Sequence, residues 1–204
     1  MQERIFDSSS YFVKAGAVML LLAGTVYAGL LVSHAQARSG EAIADYIRNV
    51  VHSSRTGLGA AEEVRLAHVI VGESKAHNVD PLLMLALIKT ESEFNNWSRS
   101  SKGALGLMQI LPSTGQEIAG RLSLQWRGEA TLFDPYMNVK LGVYYFKFLR
   151  NRYNHDDKLS LAAYNAGPGR VSAMMEAGTV SAAFSDRVMV HYKELKKEAE
   201  GYGM

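Results

Sequence analysis

The spacing of apolar residues predicts that the chain beyond residue 38 is almost wholly helical. Apolar positions recur every three or four residues over 41–51, 60–77 and 138–153, which is the period of an amphipathic helix. No stretch alternates with the two-residue period of a strand, so we expect an all-α fold with little or no sheet. Further helices are predicted over 81–93, 108–119, 158–166, 171–177 and 184–200, with irregular segments over 95–107 and 123–136.

The same pattern divides the chain into three parts. Residues 1–37 contain an apolar segment, residues 38–59 a helix followed by a polar linker, and residues 60–204 the predicted globular domain. A length of 204 residues fits one domain of about 150 residues with an extension.

The N-terminal part predicts either a signal peptide or a membrane anchor. Residues 15–32 carry no charged side chain and are just long enough to span a bilayer. Ala35 and Ala37 then form the small-x-small pattern of a cleavage site, which favours removal after Ala37. The length of the apolar run, with Glu3 and Asp7 before it, favours a retained anchor. Both alternatives place the remainder in the periplasm of a bacterium, held at the inner membrane if the segment is uncleaved.

Composition excludes several chemistries. A net charge of +2 creates no strong field for nucleic acid, so we expect no nucleic-acid partner. The absence of cysteine excludes disulfides and thiolate metal sites. No HExxH motif, paired histidine spacing or phosphate-binding glycine loop occurs in the sequence. We therefore expect neither a metal ion nor a cofactor.

One carboxyl group is placed where it should hold its proton. Glu91 lies near the carboxyl end of a predicted helix that starts at Asp80-Pro81 and continues through the apolar residues 82–88. The helix dipole and the apolar neighbours both disfavour a negative charge there, so we expect a raised pKa. A protonated glutamate is a general acid. By itself, the stretch also fits an exposed glutamate at the end of a core helix.

The remaining candidate groups are uncharged. Ser100, Gln109, Tyr164 and Asn165 offer hydroxyl and amide groups close to aromatic residues. Such groups suit a sugar, which presents hydroxyls, N-acetyl amides and apolar ring faces, and they suit a phosphate poorly. Each of them also fits a purely structural role when it is taken singly.

Several blocks of sequence together resemble a known family. They are Glu91-Ser92-x-Phe94, Ser100, Gly103-Ala104-Leu105-Gly106-Leu107-Met108-Gln109, Pro112-Ser113-Thr114, Asp134-Pro135-x-x-Asn138 and Ala163-Tyr164-Asn165-Ala166-Gly167-Pro168. In order and spacing they closely resemble the lytic transglycosylase SLT domain of glycoside hydrolase family 23. The resemblance covers roughly residues 66–190.

That resemblance implies a goose-lysozyme-like, mainly helical fold with a long substrate groove between two groups of helices. It implies a substrate as well, the glycan strands of peptidoglycan, cut at the β-1,4 bond between N-acetylmuramic acid and N-acetylglucosamine. The site residues implied by motif position are the catalytic acid/base Glu91, the substrate contacts Ser100 and Gln109, the wall residues Met108 and Tyr164, and Asn165 as a polar contact or a loop-fixing group.

The resemblance also implies a mechanism with a single carboxyl group. Glu91 would protonate the leaving oxygen and then accept the proton of the muramic acid C6 hydroxyl, which attacks C1 and closes a 1,6-anhydro ring. Ordinary glycosidases instead place two carboxyl groups about the bond. Glu93 is two positions further on, about 200° around a helix, and is not expected to be the partner.

One segment departs from the family's pattern. The family carries a Thr-Arg-x-Tyr-Val segment near the C-terminus, whose tyrosine approaches the catalytic glutamate. Here Asp186-Arg187-Val188-Met189-Val190 places Met189 at the position of that tyrosine. Tyr192, one helical turn beyond Val188, is a candidate replacement.

Three functions remain open on the sequence. The first is a periplasmic or membrane-anchored lytic transglycosylase, and the second is a lysozyme-like muramidase that uses water. The third is a non-catalytic, peptidoglycan-binding component of a secretion apparatus. The small size suits an enzyme that opens local gaps in the wall for a secretion, pilus or flagellar envelope complex.

Overall fold

The computed structural model describes residues 26–32, 40–54 and 56–202, in two units, Met1–Glu41 and Ala42–Met204. In the first unit, residues 26–32 are helical. The rest of the apolar run predicted over 15–32 lies outside the described residues, as do the cleavage-site residues Ala35 and Ala37. None of the helices in these described ranges is both long and apolar enough to cross a membrane.

The second unit is mainly helical in its described residues. Its helices are α1 over residues 40–52, of which 42–52 belong to this unit, α2 (Ala60–Ala76), α3 (Pro81–Ser92), α4 (Pro112–Arg121), α5 (Ala130–Phe133), α6 (Pro135–Arg152), α7 (Asp157–Ala166), α8 (Pro168–Glu176) and α9 (Ala183–Glu200). Within the described residues, extended pairing is limited to isolated bridges, such as the one between Leu105 and Ile110. The prediction of an all-α fold is confirmed.

Helix α3 forms the centre of the unit. Residues 82–88 are all buried, and α2 and α9 pack against the helix. The helix begins after Asp80, whose carboxylate accepts a hydrogen bond from the Leu82 amide at 2.8 Å, and Pro81 occupies the first position. It ends because Glu93 and Phe94 are both left-handed, with φ of 51° and 64°.

Three predicted helix starts are wrong, and in each case a proline occupies the first helical position; one of them is α8, which begins at Pro168 instead of residue 171. Helix α4 begins at Pro112 instead of Met108, because Leu105 and Ile110 exchange two backbone hydrogen bonds of 3.0 Å and keep residues 108–111 in the preceding loop. Pro112 needs no amide partner and therefore suits the first helical position.

Helix α6 begins at Pro135 instead of residue 138. Asp134 caps it by accepting hydrogen bonds from the amides of Tyr136 and Met137, at 2.9 and 3.0 Å. Asp134-Pro135 thus starts a helix in the same way as Asp80-Pro81. The short helix α5 occupies part of the segment that was predicted to be irregular.

Helix α1 is part of the hydrophobic core. Tyr46, Ile47 and Val51 are buried. The Tyr46 hydroxyl donates to the carbonyl of Leu195 at 3.0 Å, and it lies 3.1 Å from a carboxylate oxygen of Glu198. These contacts hold α1 against the carboxyl half of α9.

The loop that follows α3 is fixed by one buried amide on α6. Asn138 accepts a hydrogen bond from the Met108 amide at 2.7 Å and donates to the carbonyls of Leu105 at 2.9 Å and Leu132 at 2.8 Å. The Asn138 side chain therefore supplies the hydrogen-bond partners of three buried backbone groups.

Gly106 lies directly against this amide. Its φ is +75°, and a Cβ atom added there would lie 2.3 Å from both the Asn138 Nδ2 and the Leu132 oxygen. Only glycine allows the loop to approach α6 so closely.

We predict that Gly106→Ala lowers the free energy of unfolding by at least about 2 kcal/mol more than Gly103→Ala does. Both positions have a positive φ, so both changes carry a backbone cost of about 1 kcal/mol. Only the change at Gly106 also displaces the Asn138 hydrogen bonds, because nothing lies within 4 Å of a Cβ at Gly103. Urea unfolding of the two variants measures the difference, and equal losses would contradict the close approach.

Candidate active site

Glu91 lies in the last turn of α3 and is half-buried. Burial raises the pKa of its carboxyl group to about 7, while the positive charge of Arg187 lowers it. The pKa of Glu91 is raised, as the sequence predicted, and the main cause is desolvation of the carboxyl group. Near neutral pH the group is present in both protonation states, which suits an acid that later serves as a base.

Arg187 is the positive group that faces this carboxyl, and the sequence analysis did not single it out. It lies on α9, which packs against α3, and its guanidinium is 5.6 Å from the centre of the Phe184 ring. The signal in the sequence is the match of Arg187 to the arginine of the family's Thr-Arg-x-Tyr-Val segment.

Tyr164 is buried and close enough to Glu91 for the charge of that carboxyl group to act on it. Its hydroxyl donates to the carbonyl of Met108 at 2.8 Å. Burial raises its pKa well above the usual value, and the charge on Glu91 raises it further. Tyr164 therefore keeps its proton at neutral pH.

Met108 reaches the site through its backbone. Its side chain is fully buried and packs on Gly142, where an added Cβ would lie 2.4 Å from the sulfur. Its carbonyl holds the Tyr164 hydroxyl, while its amide is held by Asn138. Met108 is thus fully buried, and its predicted role as a wall residue of the site stays a prediction.

Ser100 and Gln109 give the loop its shape. The Ser100 hydroxyl oxygen accepts hydrogen bonds from the amides of Ala104 at 3.0 Å and Lys102 at 3.3 Å. The Gln109 amide nitrogen donates to the carbonyls of Ser98 at 3.1 Å and Gly106 at 2.9 Å. Both side chains are half-buried, so each has an orientation set by the loop and a part that solvent can reach.

Asn165 lies at the carboxyl end of α7 and is exposed. It lines a recess of about 250 Å³, here called the first recess, together with Lys102, Arg170 and Arg187. Of the predicted polar contacts, Asn165 is the one that the structure places directly on a cavity next to Arg187.

Two further recesses continue from the first. The second recess, of about 460 Å³, is also lined by Arg187 and by Thr90 and Glu93, the residues on either side of Glu91 and Ser92. The third recess, of about 510 Å³, shares Ser54, Lys89 and Phe94 with the second. The three recesses adjoin one another through these shared residues and are together called the groove; Glu91 is not among the residues that line it, although Thr90 and Glu93 are.

The proposed replacement of the missing tyrosine by Tyr192 is wrong. The Tyr192 hydroxyl donates to the carboxylate of Asp80, which caps the opposite end of α3. At 1.5 Å per residue, Asp80 and Glu91 are roughly 16 Å apart along the helix. Tyr164, on α7, is the tyrosine whose pKa responds to the charge of Glu91.

We predict that Glu91→Gln stabilises the fold at pH 8 by about 2 to 3 kcal/mol and leaves stability unchanged at pH 4. The folded-state pKa of about 7 exceeds that of an unfolded chain. The wild type therefore loses stability as pH rises from about 4.5 through 7, and an uncharged amide does not. Urea unfolding at the two pH values measures the effect.

Glu93→Gln is the matched control for that measurement. Glu93 is exposed and lies in the left-handed turn that follows α3, so its replacement should change stability little at either pH. Equal behaviour of the two variants would show that Glu91 is not desolvated.

Comparison with known proteins identifies the domain that carries this site. Residues 68–181 match the family model of the transglycosylase SLT domain. A putative soluble lytic murein transglycosylase of Haemophilus influenzae is 35% identical over 111 residues, covering 54% of this chain and 19% of that protein. A membrane-bound lytic murein transglycosylase C of Klebsiella pneumoniae is 33% identical over 151 residues, covering 66% of this chain and 41% of that protein.

The fold is found in a solved relative. The lytic transglycosylase Slt of Pseudomonas aeruginosa, solved as an inactive mutant, matches with a TM-score of 0.52 and 27% identity, over 66% of this chain and 22% of that one. The chain spans less than half the length of these relatives. The expected lysozyme-like fold is confirmed, and because the family model matches more than half of its residues, the chain belongs to the transglycosylase SLT domain family.

Proposed function

We propose that this protein is a peptidoglycan lytic transglycosylase. It cleaves the β-1,4 bond between N-acetylmuramic acid and N-acetylglucosamine and leaves a 1,6-anhydromuramic end. The observation that carries the proposal is the half-buried Glu91, with a pKa raised to about 7 beside a groove in an SLT domain. The names of the relatives support it, since they are lytic murein transglycosylases of soluble and membrane-bound kinds.

In the first step, protonated Glu91 acts as the general acid. The bond between C1 of the muramic residue and the bridging oxygen breaks, and its electron pair goes to that oxygen as the oxygen takes the proton of Glu91. Desolvation keeps this proton available near neutral pH, whereas an exposed glutamate would have lost it.

In the second step, the Glu91 carboxylate acts as the base. It accepts the proton of the muramic C6 hydroxyl while the C6 oxygen forms a bond to C1, so the acid is regenerated and no water is consumed. Arg187 stabilises the carboxylate between the two steps because its positive charge favours the ionised form. Tyr164 stays neutral and contributes a fixed dipole instead of a charge.

A hydrolytic muramidase is the second candidate, and one observation makes it worth testing. The sequence predicted that Glu93 lies on the far side of the helix from Glu91. The structure differs, because α3 ends at Ser92 and Glu93 lies beyond it. It is exposed and lines the second recess with Thr90 and Arg187. A second carboxylate at the groove is the feature that ordinary glycosidases use.

The proposal extends to location and partners. Export to the periplasm, with or without a retained anchor, follows from the apolar run over 15–32 and fits relatives named both soluble and membrane-bound. The partner proposed beyond glycan strands is a secretion, pilus or flagellar envelope complex. A pull-down that recovers no component of such a complex would contradict this part alone.

We predict that the wild type releases 1,6-anhydro muropeptides from purified sacculi. Glu91→Gln should lower the rate by about 10² to 10⁴, since it removes the general acid, while Glu93→Gln should retain most of it. Mass spectrometry of the products decides between the mechanisms, because anhydro ends are one water lighter than reducing ends. Reducing ends and an inactive Glu93→Gln would establish the muramidase, and intact sacculi with the wild type would favour the non-catalytic component.

We predict that Arg187→Gln moves the alkaline limb of kcat/KM to higher pH. The wild-type rate should fall as pH rises through about 7, where free Glu91 loses its proton. Removing the positive charge that lowers this pKa should raise it. The control is Arg121→Gln, an exposed arginine of α4 paired with Glu117, and it should leave the profile unchanged. An alkaline limb of kcat/KM that stays at the same pH, or moves to lower pH, would contradict the role of Arg187.

A further inference from the structure

Ser92 is the last residue of α3 and directly follows Glu91. Neighbouring positions on a helix are about 100° apart, so the two side chains leave the helix on different sides. Glu91 is half-buried, whereas Ser92 is only 8% exposed. The Ser92 hydroxyl faces the protein interior, so any effect it has on the reaction must pass through other groups.

The Ser92 hydroxyl joins the end of α3 to the loop that follows it. It lies 2.8 Å from the Leu107 carbonyl and 3.2 Å from the Ile88 carbonyl one helical turn earlier. A hydroxyl has one proton to donate, and the shorter contact is the stronger hydrogen bond. Among the described residues, no backbone amide donates to the Leu107 carbonyl. Removing the hydroxyl would therefore leave a carbonyl in the interior without its partner.

The peptide groups at Leu107 and Met108 connect three helices. The Leu107 carbonyl is held from α3 by Ser92, and the Met108 amide is held from α6 by Asn138 at 2.7 Å. The Met108 carbonyl is held from α7 by the Tyr164 hydroxyl at 2.8 Å. The bond from Ser92 is thus the one that fastens α3 to a backbone already fixed by α6 and α7.

The backbone just beyond Ser92 needs such support. Glu93 and Phe94 both adopt a left-handed conformation, which costs free energy for residues other than glycine. The Asn95 amide donates to the Ser92 carbonyl at 2.9 Å, so the turn itself is built on Ser92. A serine that bonded only to the carbonyl four residues earlier would be an ordinary helical serine and would not fix this turn to the loop.

We propose that Ser92 is a positioning residue for the reaction. Its hydrogen bond to the Leu107 carbonyl holds the last turn of α3 against the loop and thereby fixes the orientation and the partial burial of the Glu91 carboxyl group. The proposal rests on the proposed function, because it assigns Ser92 a role in the reaction of Glu91.

The charges around Glu91 do not depend on this hydrogen bond. The charged and titratable groups close to the carboxyl end of α3 are Arg187 and His191 on α9, Tyr164 on α7, and Lys89 and Glu93 on or directly after α3 itself. The partners of the Ser92 hydroxyl are backbone carbonyls, so its replacement removes no charge from this set. A change in the pKa of Glu91 on replacing Ser92 therefore reports a change in its burial.

The test is the reaction of the full chain carrying Ser92→Ala with soluble glycan strands of peptidoglycan, followed over a range of pH. A loosened last turn admits water to Glu91, so the alkaline limb of kcat/KM should move to lower pH, opposite to the shift from Arg187→Gln. The value of kcat should fall about ten- to a hundredfold, with KM changed less than about threefold. Carbon-13 NMR should show the same downward shift in the titration of Glu91.

Three further variants separate positioning from a loss of stability. Ser160→Ala also removes a buried hydroxyl that donates to a carbonyl, here that of Asp156 at 2.6 Å, and should lower stability to urea without changing kcat or the pH profile. Ser92→Thr and Ser92→Val have the same shape and differ in the hydroxyl. Ser92→Thr should recover a kcat and a pH profile that Ser92→Val does not.

The positioning role is overturned if Ser92→Ala leaves kcat and the Glu91 titration unchanged. It is equally overturned if Ser92→Thr and Ser92→Val behave alike, or if Ser160→Ala shifts the pH profile as much as Ser92→Ala does. A wild type that forms no anhydro product would overturn the proposed function instead. The NMR titration of Glu91 in Ser92→Ala would still decide whether the hydroxyl controls the burial of the carboxyl group.

Discussion

A single carboxyl group is held partly away from water by the helices that surround the end of α3, and the chemistry of the site depends on this. The helix is apolar on all sides and is enclosed by its neighbours, so the residues near its end share that environment. Burial raises the pKa of Glu91 to about 7, and the nearby charge of Arg187 limits the rise. The balance between these two effects sets the pH range in which one group can both give and take a proton.

The rest of the site consists of neutral hydrogen bonds that fix the backbone. Asn138 holds the loop at Met108 and Leu105, and Met108 in turn holds the Tyr164 hydroxyl. Gly106 allows the loop to lie against α6. Fixed dipoles of this kind can support developing positive charge on a sugar without competing with Glu91 for its proton.

The sequence predicted the parts that depend on local patterns. Apolar periodicity located the helices, and the Asp-Pro pair at Asp80 predicted where α3 begins. The raised pKa of Glu91 followed from its position near the end of an apolar helix. The same Asp-Pro signal was overlooked at Asp134, where it starts α6.

Features that depend on contacts between distant segments were missed. Nothing local shows that Asn138 would bind a loop 30 residues earlier, and this contact keeps residues 108–111 out of α4. Arg187 can face Glu91 only because α9 packs on α3. The same packing brings the Tyr192 hydroxyl to Asp80. The resemblance covered neither α1 nor the end of α9, so it gave no indication of the third recess.

The pKa of Glu91 in the free protein tests the central claim most directly. Carbon-13 NMR titration of protein labelled at the glutamate carboxyl carbons would follow it, with Glu91→Gln used to assign the resonance. We predict a midpoint near pH 7, well apart from exposed glutamates. A midpoint near the ordinary value of about 4.3 would show that the carboxyl group is solvated and would contradict its role as the acid.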